Sequence, residues 1–316
     1  RLGADLPTVH AVGEYLDGQP YQTTELAIFA ADGAVHYTRS IPRGVPVDRI
    51  RYSAPANVAP LLAWSARQPA YVLVVTDRTG ADVTEVPAGC ADGRTFVVTG
   101  PDDEIERNAP GGWSQPRFQR RAEDSWQHNA SAVAARVVSA LRCSGARLLL
   151  VAGDVRAVQL LRDYLPLGLR RDVTVVHLPG GRSPNGSGPL RAAACRQAIQ
   201  EYVATLSAGL LARFADARGP SGTTVEGAQA TLAALAAGRL SSLLVSDDPA
   251  DHREAWFGPD MLAAPDIAPR SAGGLHRGWL VDVAVRAAVL TDAEVHILDR
   301  RDAAEIAEGI GGLARF

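Results

Sequence analysis

The chain has 316 residues, and its 32 basic and 35 acidic side chains leave a formal net charge of −3. Apolar residues at 47% and charged residues at 21% exclude a disordered chain, and the near balance of charge excludes a generally basic nucleic-acid-coating protein while leaving room for a local basic patch. No apolar run approaches the roughly 20 residues a membrane span needs, and the length suggests two or three domains.

In chain order, residues 1–68 read as a short mixed N-terminal segment. Thr24–Ala31 and Ala34–Thr38 look like strands around an Asp32-Gly33 turn, and Asn57–Arg67 looks like a short helix or connector. Residues 69–218 form the next domain. Its pattern predicts a buried strand at Ala70–Asp77, a turn at Arg78-Thr79-Gly80, a hairpin partner at Ala81–Val86 and a third strand at Thr95–Thr99. Gly100–Gln115 is irregular. A long helix then runs from Pro116 to about Cys143, because Phe118, Ala122, Trp126, Ala130, Val133, Val137 and Leu141 recur every three or four residues. Pro116 suits the first helical position, with Gln115 as cap. Arg147–Ala152 predicts a central strand, Asp154 a helix cap, and Asp172–Leu178 another strand. The Gly/Pro/Ser stretch Pro179–Pro189 reads as a surface loop. The helix after it, running to about Ala217, has Leu190, Ile199, Val203, Leu206, Leu210 and Phe214 as its expected face.

Gly219–Gly222 is the clearest linker, and residues 219–316 restart the pattern. The expectation there is helix Thr223–Ala237, strand Ser241–Ser246, a Pro- and Gly-broken stretch to Gly274, helix Leu275–Val289, strand Glu294–Leu298, a short helix at Asp302–Ala307 and a terminal strand Ile310–Phe316. The fold class is therefore α/β, with a mixed sheet in the middle domain and a smaller α/β domain after it.

Motifs of common chemistry are missing. The seven histidines are scattered with no HExxH, and Cys90, Cys143 and Cys195 form no CxxC pair, so the sequence predicts no metal and no disulfide framework. No GxSxG elbow occurs. Gly180–Gly188 lacks the GK[ST] ending of a phosphate loop. The chain begins at Arg1, so its native start is expected to be missing or processed. Asp77 ends a strand and is explained by turn chemistry.

Charge is distributed unevenly at one place. Pro101–Glu106 carries four acids, and 107–122 then carries Arg107, Arg117, Arg120 and Arg121 with no acid. There is no lysine, so each cation is a planar fork suited to phosphate. Gly111-Gly112, Trp113 and Ser114-Gln115 sit at a helix N-terminus, which favours anions. Read from the residues alone, this is either an ordinary basic loop or a loop that delivers its tip to a phosphate-rich surface.

The stretch Gly111-Gly112-Trp113-Ser114-Gln115-Pro116-Arg117-Phe118-Gln119-Arg120-Arg121, followed by Trp126-Gln127-His128-Asn129, resembles the catalytic loop and following helix of archaeal and eukaryotic class-1 peptide chain release factors, where Gly-Gly-Gln precedes an Arg-Phe pair. Gly309–Phe316 and Val225–Leu244 resemble parts of the release-factor and Pelota C-terminal domain, and Asp77–Val83 resembles the first hairpin of the middle domain. The resemblance covers 69–316 and is nearest to the bacterial release-factor-like proteins, a group related to ribosome quality-control peptidyl-tRNA hydrolases and to Balon-like hibernation factors. It implies an RNase-H-like middle domain and a C-terminal domain similar to RNA-binding ribosomal proteins. The implied function is a cytoplasmic, ribosome-associated peptidyl-tRNA hydrolase acting in rescue or quality control. Gln115, Gly111, Gly112 and Ser114 would be its catalytic residues, and Arg107, Trp113, Arg117, Arg120 and Arg121 its RNA contacts. The implied partners are the ribosome, its RNA, peptidyl-tRNA and a translational GTPase, with no cofactor, metal or membrane. A non-catalytic hibernation factor occupying the A site and a tRNA acceptor-end nuclease are the alternatives. Trp113 and Ser114 separate the glycines from Gln115, so the loop departs from contiguous Gly-Gly-Gln, and Ser-Gln is nearer to the Gly-Ser-Gln of eukaryotic quality-control hydrolases.

Overall fold

The computed structural model of the chain describes residues 3–19, 25–41, 50–90, 92–99, 115–182, 187–219, 222–258 and 274–315, with backbone alone over 115–125. Contacts divide the chain into two units, Arg67–Thr205 and a second made of Arg1–Ala66 together with Leu206–Phe316.

At the start of the chain, the Asp5 carboxylate accepts the Thr8 amide at 2.8 Å and so caps α1 (Leu6–Asp17). The helix packs on the antiparallel hairpin of β1 (Glu25–Ala31) and β2 (Ala34–Ile41). Asp32 and Gly33 both have positive φ, 50° and 74°, the conformation a tight primed turn requires. The Gly33 amide then donates to the Thr8 hydroxyl at 2.8 Å, tying the turn to the helix. A short helix, α2 (Ala59–Ala66), ends this part of the chain.

The unit Arg67–Thr205 is built on a five-stranded sheet. Its elements are β3 (Tyr71–Asp77), β4 (Gly80–Val86), β5 (Arg94–Thr99), α3 (Gln115–Ser144), β6 (Leu148–Gly153), α4 (Val155–Tyr164), α5 (Leu167–Asp172), β7 (Thr174–His177) and the first part of α6 (Gly188–Ala217). The strand order is β5-β4-β3-β6-β7. The first three strands are antiparallel, and β3, β6 and β7 are parallel. That order and those directions make an RNase-H-like mixed sheet. The apolar run in β6 follows from burial on both faces. Leu149 and Val151 join Val133, Val137 and Leu141 of α3, while Leu148, Leu150 and Ala152 join Cys195 and Ala198 of α6. Gly153 closes β6 at φ 141°, where a Cβ would fall 1.9 Å from the Thr76 carbonyl oxygen, so no other residue fits there.

The remaining elements complete the other unit: β8 (Thr224–Glu226), α7 (Ala228–Ala236), β9 (Leu240–Ser246), β10 (Glu254–Phe257), β11 (His276–Trp279), α8 (Leu280–Leu290), β12 (Glu294–Leu298), α9 (Arg300–Ala303) and β13 (Ile310–Ala314). Four strands form a mixed sheet in the order β12-β9-β13-β8, and β10 and β11 form a separate antiparallel pair. The core gathers Leu232, Leu235, Leu243, Val283, Ala287 and Ile310, with Val58 and Leu62 from the far end of the chain packed against it.

Most predicted elements are present within a residue or two, and four expectations need correction. The expected helix Thr223–Ala237 begins as a strand, because Val225 pairs with Gly312 of β13 and Gly227, at φ 81°, breaks the chain before α7. The expected helix Leu275–Val289 likewise begins as β11, which β10 holds extended. The helix expected at Asp302–Ala307 is instead Arg300–Ala303, capped by Asp299. On α6, Leu190 and Leu206 are exposed at 61% and 53%. The residues that pack are Cys195, Ala198 and Ile199 in one unit and Leu210 and Phe214 in the other, so successive segments of the helix serve different cores.

Residues 50–66 are held to α8 by a buried carboxylate. Asp282, in the first turn of α8, is 2% exposed and accepts the Asn57 side-chain amide at 2.8 Å. Arg51 lies 3.6 Å from its other oxygen and stacks on Trp279 at 4.3 Å. Burial raises the Asp282 carboxyl above its ordinary range, against the opposing pull of Asn57 and Arg51. Glycine at 278 makes room for this segment, since a Cβ there would lie 2.4 Å from the Ala54 carbonyl oxygen. Asn57→Ala removes the closest donor to a buried carboxylate. The expected loss is about 1–3 kcal/mol of unfolding free energy, read by urea denaturation of the full chain.

Candidate functional site at the head of the long helix

α3 is 30 residues long. From Ala130 onward Val133, Ala134, Val137, Ala140 and Leu141 bury one stripe on the sheet, each larger side chain contributing about 1.5–3 kcal/mol. Before Ala130 the helix is held by named contacts. Asn129, 3% exposed, donates through its side-chain amide to the Arg78 carbonyl at 3.0 Å. Trp126 lies under the Arg156 guanidinium at 4.7 Å. Further along, Arg136 pairs with Glu85 at 2.5 Å and covers Phe96 at 3.7 Å.

The turn that receives Asn129 is itself fixed. Asp77 Oδ1 accepts the Thr79 amide at 2.8 Å, the Thr79 hydroxyl at 2.7 Å and the Gly80 amide at 3.1 Å. Arg182, in the loop before α6, reaches Asp82 at 3.0 Å and Asp77 at 3.5 Å. Partial burial works against the Asp77 charge. The two Thr79 donors and Arg182 outweigh it and hold the carboxyl below its ordinary range.

At the same end of the sheet, Asp154 follows β6, its amide donating to the Thr76 carbonyl at 3.1 Å. Its carboxylate caps α4 through Arg156 N at 2.9 Å and Ala157 N at 3.3 Å. Asp77 and Asp154 thus stand at the ends of adjacent strands, and both are occupied by N–H or O–H donors. Among the described residues no three His, Cys, Asp or Glu side chains are grouped to hold a metal ion, and no helix is long and apolar enough to cross a membrane.

Of the residues the sequence singles out, Arg107, Gly111, Gly112, Trp113 and Ser114 lie outside the described residues. Gln115 opens α3, and Pro116, Arg117, Arg120 and Arg121 continue it. At 1.5 Å per residue, Gln115 lies roughly 21 Å along the helix axis from Asn129. From the sequence, Asn129 figures only in the stretch Trp126–Asn129 of the family resemblance, and nothing there gives Arg156 or Arg182 a role. A buried polar residue on an otherwise apolar helical stripe is the one physical signal that marks Asn129.

Residues 70–220 match the family model described as bacterial archaeo-eukaryotic release factor family 2. That stretch, just under half of the chain, is release-factor-like. The matched stretch contains the whole of 107–121 and all of α3. No curated protein matches the chain. Among solved structures, it is similar to Dom34 of S. cerevisiae, a translation termination-like factor in RNA quality control that interacts with Hbs1. That match has 10% identity and a TM-score of 0.47 over 82% of this chain, and it spans only 65% of Dom34. A model of ribosome-bound archaeal Pelota with ABCE1 matches at 14% identity and a TM-score of 0.47, over 94% of this chain and 79% of that one. The archaeal termination factor aRF1 matches at 14% identity and a TM-score of 0.29, over 98% and 80%.

The turn at Asp77 is expected to be sensitive to acid. A carboxyl held low in the folded state contributes stability that is present above its unfolded value, near 4, and is lost as pH falls through the lower folded value. Asp77→Asn is expected to melt at a lower temperature at pH 7 and to show a shallower fall in melting temperature between pH 4 and pH 2, measured by circular dichroism.

Proposed function

We propose that this chain is a ribosome-associated translation factor that hydrolyses peptidyl-tRNA during ribosome rescue or quality control. The observation that carries the proposal is the placement of Gln115. It opens a long helix inside the stretch that matches the release-factor family, four residues after the Gly111-Gly112 pair begins. In this reading Gln115 orients a water at the ester joining the nascent chain to the tRNA ribose. The water oxygen attacks the ester carbonyl carbon, the bond to the ribose oxygen breaks, and that oxygen leaves with a proton. A neutral amide suits the task, since its carbonyl accepts from water while its NH₂ donates to the oxygen that gains charge. Ribosomal RNA supplies the rest of the site.

Gly111 and Gly112 allow close backbone approach, and Ser114 is part of the same catalytic loop. Arg107, Arg117, Arg120 and Arg121 pair with phosphates as positioning contacts, and Trp113 stacks on a base. The reaction calls for no metal or nucleotide cofactor. A translational GTPase is the expected escort by analogy with the family the loop resembles. The cytoplasm is the compartment in which this reaction takes place.

One observation favours a second reading. Trp113 and Ser114 interrupt the Gly-Gly-Gln order, which suits a non-catalytic hibernation factor seated in the A site. A nuclease is disfavoured by Asp77 and Asp154, whose carboxylates hold a turn and a helix cap.

A release assay on purified ribosomes carrying labelled peptidyl-tRNA separates these readings. Wild type is expected to release peptide, and Gln115→Ala to slow release by about 10²-fold or more, the scale of losing one aligned polar group in an acyl-transfer site. Equal release by both proteins removes Gln115 from the mechanism. No release by wild type, with binding to vacant ribosomes, selects the hibernation reading.

A further inference from the structure

β7 is an edge of the five-stranded sheet and pairs only with β6 among the described residues. Its backbone directions follow from two bonds. The Thr174 amide donates to the Arg147 carbonyl and the Leu178 amide to the Val151 carbonyl, each at 2.8 Å. In a parallel pair alternate residues face the partner, so Thr174, Val176 and Leu178 face β6. The N–H and C=O groups of Val175 and His177 therefore point outward from the sheet.

Beside that edge lies a cavity of about 380 Å³. Its floor is apolar, made by Val158, Leu161, Leu165 and Val173. The Val175 and His177 side chains line it from the strand, so the cavity opens on the face toward which an added strand would turn every second side chain. Its polar members are His177 and two cations: Arg162, which is exposed, and Arg170, whose Nε and Nη2 are spent on the Leu165 and Asp163 carbonyls at 3.0 and 2.9 Å. No carboxylate lines it. Leu167, two residues beyond Leu165, is 74% exposed.

From these features the geometry points to a peptide-docking site. An extended segment of a partner protein adds as a strand to β7, places an apolar side chain in the cavity and sets an acidic side chain against Arg162 and Arg170. Open backbone groups supply affinity in this mode, and the pocket supplies selection. A second copy of this chain is a poor occupant, because pairing two β7 edges would bring two arginine-lined rims together. The site stands apart from the hydrolase reading and does not depend on it.

The test pans the full chain against a displayed library of random nine-residue peptides. The enriched peptides are then synthesised with normal and alternately N-methylated backbones, and Kd is measured by fluorescence anisotropy. The expected result is enrichment of sequences with alternating apolar residues and at least one acid. N-methylation on the side facing β7 and the Arg162→Glu variant should each weaken binding tenfold or more. Val175→Pro should abolish binding, since it removes an outward N–H without costing a bond to β6. Both substitutions are at exposed positions, and melting temperatures matched to wild type show that a loss of binding is not unfolding. The proposal is overturned by any of four results: enrichment no greater than against Val175→Pro, selection of basic peptides, indifference to N-methylation, or a sedimenting dimer that Val175→Pro dissolves.

Discussion

The Asp77 carboxylate takes three donors from its own turn and a guanidinium from Arg182, 105 residues further on. With the turn closed in this way, the Arg78 carbonyl has a fixed direction and becomes the acceptor for Asn129. Asn129 is the polar residue beside the apolar stripe of α3 that begins at Ala130, so its bond fixes the register of the helix on the sheet. Arg156, on the helix that Asp154 caps, steadies the next turn through Trp126. The head of α3, with Gln115 and the arginines after it, is carried on this joint. The apolar stripe supplies most of the energy, and the polar contacts supply the register, because a hydrogen bond is directional and hydrophobic burial is not.

The other unit shows the same division between energy and register. Leu232, Leu243, Val283 and Ile310 form its core, and Val58 and Leu62 come to it from the opposite end of the sequence. What specifies that docking is Asp282. A carboxylate at 2% exposure is tolerated only with a donor against it, and Asn57 is that donor, with Arg51 beside it. Residues 50–66 are thereby packed on α8, although the sheet of the other unit follows them directly in the chain.

The edge at β7 belongs to a sheet whose central strands are covered on both faces. Leu148 to Ala152 have no exposed side, whereas Val175 and His177 have an edge left unpaired among the described residues as well as a lined cavity. Sheets of this kind concentrate their chemistry at the strand ends and their remaining hydrogen-bonding capacity at the edges. The two proposed activities of this unit use those two resources separately.

Local pattern alone determined much of this protein. The apolar runs of β3 and β6, the alternation of β4, the 3.6-residue period of α3 and the Asp154 cap are written in consecutive residues, and a period or a cap acts within one or two turns of chain. The family resemblance was equally readable, because Gly111–Arg121 and Gly309–Phe316 are contiguous. Tertiary structure decided what depends on a partner far along the chain. Val225 and His276 sit in stretches that read as helix, yet β13 and β10 offer them ladders and hold them extended. Leu190 and Leu206 match the helical period of α6 yet stay exposed, because α6 serves one core with Cys195 and another with Phe214. Arg182 meeting Asp77, Asn129 meeting Arg78 and Asn57 meeting Asp282 join positions 51 to 225 residues apart. No periodicity reaches so far. Those pairs exist because a buried polar group must find its donor wherever the folded chain brings one.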